Sequence, residues 1–161
     1  MTKVLEREEL CQTLIDATCD VFESMLFLTA VSKGAITDEN KLNYRSELSG
    51  IISFVGDLSG SVIFSLNNNA AMKVASSMLG EEITEINEEV EDAVGEITNM
   101  VAGGFKTRIS NYGIDFNISI PTVIQGQNYT ISHFPKSDYE YNWLPFSFDD
   151  KECRIELCLR K

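Results

Sequence analysis

The chain has 161 residues, 13 Lys+Arg against 25 Asp+Glu, and a formal net charge of −12. That length suits one core, so a single domain over 1–161 is expected, and 43% hydrophobic with 24% charged residues is the balance of a folded chain, not a disordered one. The negative excess excludes nucleic acid and anionic membrane as partners held by the general field, and leaves cations, basic protein patches and neutral ligands.

The first predicted element is a helix from about Leu5 to Leu28, with Leu10, Leu14, Val21 and Met25 at helical spacing, Ala17 in the remaining turn, and Thr2 or a neighbour as its cap. Residues 32 to 46, with Lys33, Gly34, Asp38, Glu39 and Asn40, read as an irregular connection. Ile51–Val55 and Ser61–Leu66, joined across Gly56-Asp57-Leu58-Ser59-Gly60, read as a β-hairpin. Asn67 to Asn69 supply an N-cap, and Ala70 to Leu79 a short helix closed by Gly80.

A second long helix is expected over about Ile86 to Asn111, with Ile86, Val90, Val94, Ile97, Val101 and Phe105 on one stripe. Most of the negative excess has its address here. From Glu81 to Glu96 there are eight acids and no base, and those in the first turns complement the positive end of the helix dipole. Beyond Gly113 the chain turns β-rich. Phe116, Ile118 and Ile120 alternate before Pro121, Tyr129 to Phe134 reads as a strand, and Tyr141–Phe148 with Cys153–Leu159 form a hairpin around Asp149-Asp150-Lys151. Pro145 within that hairpin points to a sheet edge or a bulge. A long helix followed by strands occurs twice, offset by about 80 residues. The expected class is α+β: an antiparallel sheet with long helices packed on one face, in two related halves.

Several chemistries are closed off by count. His133 is the sole histidine, so no two-histidine metal site can form, and a nucleophilic triad would hang on one ring; a surface or packed strand histidine is the plainer expectation. Cys11, Cys19, Cys153 and Cys158 contain no C-x-x-C, and Cys153 and Cys158 would point to opposite faces of a strand. They read as structural thiols in a reducing compartment. With no basic-then-apolar start and no apolar run long enough for a bilayer, a cytoplasmic protein is expected, in which the sequons at Asn117 and Asn128 carry no sugar.

Opposite the apolar stripe of the second helix lie Asp92, Glu96, Asn99 and Gly103, at i, i+4, i+7 and i+11. Asn and Gly are poor choices for a helix interior on stability alone. The face could be a merely solvated acidic one. Yet a bare Gly103 on the outside is not needed for internal packing, and beside Asn99 it would let another surface approach closely.

The run Asp92-Ala93-Val94-Gly95-Glu96-Ile97-Thr98-Asn99 resembles the signature helix of the CheC/CheX/FliY family of chemotaxis phosphatases. The family pattern is Asp or Ser, three residues, Glu, two residues, Asn, then Pro after 22 more; here 21 residues separate Asn99 from Pro121. The hairpin Gly56-Asp57-Leu58-Ser59-Gly60-Ser61-Val62 and the run Val21-Phe22-Glu23-Ser24-Met25 are similar to further family stretches. The resemblance implies a phosphatase acting on the aspartyl-phosphate of a CheY-type response regulator. In it Asn99 would hold the attacking water, Glu96 would pair with a regulator lysine, Asp92 would orient at the rim, and Pro121 would shape a neighbouring strand end. Mg2+ would belong to the regulator, with no cofactor bound by this chain. With Asp16 and Cys19 at the positions corresponding to Glu96 and Asn99, the first helix would be inactive, as in the one-site CheX branch, whose members are usually homodimers joined through sheet edges. A non-catalytic module docking to a receiver domain or a flagellar-switch partner is the alternative on the same fold.

Overall fold

The computed structural model describes residues 4–38 and 45–161. Among the described residues, seven antiparallel strands form one sheet: β1 (Val31–Ser32), β2 (Leu48–Gly56), β3 (Gly60–Leu66), β4 (Phe116–Ile118), β5 (Thr122–Gln125), β6 (Tyr139–Phe148) and β7 (Lys151–Arg160). Their order is β1-β6-β7-β3-β2-β4, and β5 pairs with β2 beside β4. Helices α1 (Arg7–Val21), α2 (Asn68–Leu79) and α3 (Glu88–Ser110) cover one face. The expected α+β class, an antiparallel sheet with helices packed on one face, is the one observed.

The core lies between that face and the helices. Along β2 and β3, Leu48, Ile52, Phe54, Val62, Phe64 and Leu66 point inward and are essentially without solvent contact. They meet the stripes of α1 (Leu10, Leu14, Ala17) and α3 (Val90, Val94, Ile97, Val101, Phe105). Phe105 of α3 packs against Phe54 and Phe116 at centroid distances of 6.2 and 5.9 Å, so one aromatic triad ties α3 to β2 and β4. Truncating such a ring leaves a cavity and costs about 3–5 kcal/mol. Cys153 joins this core, whereas Cys158 faces the other side, as the strand period requires.

Helix ends follow local chemistry. The Asn67 side chain accepts from the Ala70 N–H at 2.8 Å, the Asn87 side chain from the Val90 N–H at 3.1 Å, and Gly80 closes α2 at φ 71°. The two-residue turn between β6 and β7 places both Asp149 and Asp150 at positive φ, matching the strand twist; Lys151 already belongs to β7. Pro145 sits beside the sheet edge. Its carbonyl accepts from the Lys33 N–H just past the end of β1, so the donor it lacks would also have pointed to that edge.

Four expectations need correction. The first helix does not stay α-helical to Leu28: it widens into a π-turn at Phe22–Leu26 and ends at Phe27 in the left-handed region, φ 56°. Its start is at Arg7, where the Glu9 carboxylate accepts from the Glu6 N–H at 3.0 Å; Thr2 lies outside the described residues. Residues 32 to 46 are not wholly irregular, since Val31–Ser32 and a bridge from Ile36 to Trp143 extend the sheet beside β6; Glu39 and Asn40 lie outside the described residues. Ile120 does not continue the alternation of β4, because the strand stops at Ile118 and Ile120 is 84% exposed. Tyr129 to Phe134 form no strand; they cross the far face of the sheet, where side chains take the bonds a ladder would have taken. The Tyr129 hydroxyl meets Ser49 Oγ at 2.7 Å, and the His133 N–H donates to the Tyr141 hydroxyl at 3.0 Å.

Candidate active site on helix α3

Small residues set the height of α3 above the sheet. A Cβ on Gly50 of β2 would fall 2.0 Å from Thr98 Oγ1 and 2.9 Å from Thr98 Cβ, so the missing side chain is the seat of Thr98. Thr98 is itself buried and its hydroxyl donates to the Val94 carbonyl at 2.7 Å. Three residues earlier, Gly95 is buried at ordinary contact distance from β5: a Cβ there would meet Val123 Cγ2 at 3.4 Å and Pro121 Cγ at 3.9 Å. Gly104 lies against Ala17 of α1, and Arg108 one turn later forms an ion pair with Asp20 of that helix. The inner side of α3 is thus held at three points, which fixes what its outer side presents.

Asp92 and Glu96 are exposed and Asn99 and Gly103 partly so, in the order the wheel gives. At 1.5 Å rise per residue the steps between them are about 6, 4.5 and 6 Å along one flank. A Cβ added to Gly103 would meet nothing within 4 Å, so the surface beside Asn99 is bare. Pro121, half-buried, immediately precedes β5 and leans on Gly95, next to Glu96 in sequence. The four residues picked out by spacing therefore lie on one helix flank, and Pro121, implied by the resemblance, lies against Gly95 beside it. A carboxylate that can hold a cation, and an amide that can both donate and accept, stand one turn apart beside an open approach. The seats at Gly50 and Gly95 escaped the sequence reading; the only signal was two glycines within otherwise regular elements.

His133 sits elsewhere. On the face of the sheet away from α3, its Nε2 is 2.9 Å from Ser61 Oγ and its Nδ1 is 3.2 Å from Cys158 Sγ. Burial pushes the Cys158 thiol up to about 12 and the His133 imidazole below its ordinary 6.5. A protonated thiol beside a neutral ring is a packing arrangement, not an activated nucleophile. Among the described residues, no three His, Cys, Asp or Glu side chains come together as a metal site, and no helix is long and apolar enough to cross a membrane.

The sequence model of the family described as chemotaxis phosphatase CheX matches residues 48–146, a span that holds β2, β3, α3 and Pro121. A protein of Thermotoga maritima named "CheY-P phosphatase CheX" is 34% identical over 85 residues, covering 52% of this chain and 55% of that protein. The chain thus aligns with little more than half the length of that curated relative. A crystal structure of the chemotaxis protein CheX from Vibrio vulnificus superposes with a TM-score of 0.85 at 31% identity, covering 94% of this chain and 99% of that one. The CheX chain of a CheX–CheY–BeF3–Mg2+ complex from Borrelia burgdorferi superposes with a TM-score of 0.79 at 26% identity, covering 96% and 100%. Signature helix, fold and family match coincide on the same residues, and the chain belongs to the CheX family of chemotaxis phosphatases.

Proposed function

We propose that the chain is a hydrolase that dephosphorylates the aspartyl-phosphate of a CheY-type response regulator, with α3 as the inserted element. The observation that carries this reading is the pairing of exposed Glu96 with partly exposed Asn99, one turn apart on a flank left bare at Gly103. Family membership, the name of the Thermotoga relative and the Borrelia complex with CheY support it.

Asn99 holds a water in line with phosphorus: its carbonyl oxygen accepts from the water while its NH2 donates to a phosphoryl oxygen. The water oxygen forms the new bond to phosphorus, the bond to the aspartyl oxygen breaks, and a carboxylate and inorganic phosphate leave. An amide orients water without competing as a base, so the gain comes from positioning. Glu96 forms an ion pair with a lysine of the regulator, setting the docked register, and Asp92 meets its rim. Mg2+, held by the regulator, neutralises phosphoryl charge. Pro121 orients the edge beside Gly95, and a homodimer joined through sheet edges completes the reading.

The test follows decay of a phosphorylated receiver with and without the chain. Asn99→Ala is expected to slow dephosphorylation about 100-fold or more while leaving the melting temperature nearly unchanged. An unaltered decay rate in the presence of wild-type protein, alongside measurable binding, would instead assign a docking module.

A further inference from the structure

The far face of the sheet carries a set of residues that the phosphatase reading leaves unused. Ser49, Ser61, Ser65, Arg154, Glu156 and Cys158 alternate with core residues along β2, β3 and β7 and so turn away from α3. Residues 126–138 cross this face as a strap. They are pinned by Tyr129 on Ser49 (2.7 Å), which in turn bonds Ser65 (2.8 Å), and by His133 on Ser61 (2.9 Å). Between strap and sheet is a cavity of about 440 Å³, within the size range of small-molecule sites.

The charge of this cavity runs against that of the chain. Its described lining holds three cations, Arg45, Lys136 and Arg154, and a single acid, Glu156. In a protein of net charge −12 a free anion is repelled by the general field, so cations gathered in one concavity mark a local reversal. Of the polar residues lining it, Ser65 (1% exposed) and Glu156 (4%) are buried in the sheet, Arg154 is half-buried, and Arg45 and Lys136 stand exposed at the rim.

We propose that this cavity binds a small organic phosphate. Guanidinium forks match phosphoryl oxygens in pairs, an ammonium adds a point charge, and the hydroxyl of Thr130, with whichever of Ser65 and Tyr129 does not donate to Ser49, can donate to oxygens left over. A carboxylate presents two oxygens to this donor set and leaves more of it unmatched. The volume exceeds that of a phosphoryl group alone, leaving room for an organic part along Tyr141 and Trp143, whose rings stack at 6.0 Å and 18°. The site is separated from Asn99 by the thickness of the sheet, so its occupancy does not depend on the role assigned to α3.

Isothermal titration of the full chain at fixed ionic strength, with adenosine monophosphate, glucose 6-phosphate, inorganic phosphate and citrate as probes, tests the proposal. At least one organic phosphate is expected to bind more tightly than inorganic phosphate and citrate, with a Kd below about 1 mM. Replacing the two exposed cations together, Arg45→Gln with Lys136→Gln, should weaken it about tenfold or more without changing the melting temperature of the free chain. Asn99→Ala should bind as wild type does, which separates this site from the phosphatase reading. Absence of binding by both organic phosphates, preference for citrate or inorganic phosphate, or a constant unaffected by the double substitution overturns the proposal.

Discussion

At the scale of single residues, Glu96 and His133 show how position decides what a titratable side chain can do. Glu96 stands on an exposed flank, and in the proposed docking it faces a regulator lysine, so Glu96→Lys, which would turn that attraction into repulsion, should weaken receiver binding about tenfold or more. Equal binding by wild type and variant, measured by titration, would remove Glu96 from the contact. His133 instead faces inward across the sheet, between Ser61 and Cys158 and near the Tyr139 ring, and burial lowers its pKa from 6.5. The unfolded chain therefore takes up this proton first as pH falls. The stability that neutral His133 supports is complete above about pH 6.5, is lost as pH falls through the lowered folded value, and changes no further below it. Carboxylates also titrate on acidification, so the informative quantity is a difference. The stability of wild type minus that of His133→Gln, from urea unfolding at about pH 7.5 and about pH 5.5, should shrink at the lower pH; a difference independent of pH would show that the ring is not held neutral.

At the scale of elements, α3 is aligned by what is absent beneath it. Gly50→Ala would put a methyl 2.0 Å from Thr98 Oγ1, so helix and strand must part or Thr98 must leave its rotamer; overpacking of this kind costs about 1–3 kcal/mol. Thr98→Ala removes the nearer of the clashing atoms, so the double variant should recover part of the loss, and chemical denaturation of the four species measures that coupling. Simple additivity would mean that the two residues do not meet. This is also where the sequence was legible and where it was not. Period and caps located α2, and period alone α3, within two residues, because Asn67 and Gly80 act on their own neighbours; the Asn87 cap, one residue past the expected start at Ile86, went unread. The i, i+4, i+7 spacing of Asp92, Glu96 and Asn99 defined the flank for the same reason. Gly50 and Thr98 are distant in the chain, and their fit is a property of the packed pair. The strap was misread because Tyr129, Ile131 and His133 alternate like a strand, while the partners that bind Tyr129 and His133 are side chains of Ser49, Ser61 and Tyr141, not a ladder. The short β1 and β5 lacked any pattern long enough to show, since each is held by its neighbour, β6 or β2.

At the scale of the whole molecule the net charge of −12 acts on stability as well as on recognition. Two terms oppose each other. Acids in the first turn of α3, Glu88, Glu89 and Glu91, complement the helix dipole, and surface ion pairs such as Lys33–Glu152 at 2.6 Å and Lys73–Asp149 at 3.1 Å add a little more. Each such contribution is about 1 kcal/mol or less, and each weakens with added salt. Against them stands self-repulsion among 25 acids, concentrated between Glu81 and Glu96 with no base among them. Repulsion acts over many pairs at long range, and the Debye length falls from about 30 Å at 0.01 M to about 8 Å at 0.15 M, so salt removes more of the repulsion than of the short-range attractions. The melting temperature should therefore rise by a few degrees when sodium chloride goes from about 0.01 to about 0.15 M; about 1 kcal/mol corresponds to roughly 2–4 °C in a chain of this length. Chloride is the right anion, because sulfate and phosphate stabilise through exclusion from the surface and phosphate would also probe the far-face cavity. Neutralising Glu81, Glu82 and Glu85 together as glutamines, ahead of α3 and away from its capped first turn, should raise the low-salt melting temperature and flatten its salt dependence. A melting temperature that falls with salt in wild type would mean that dipole and ion-pair terms outweigh the repulsion, and that the acidic run strengthens the fold instead of straining it.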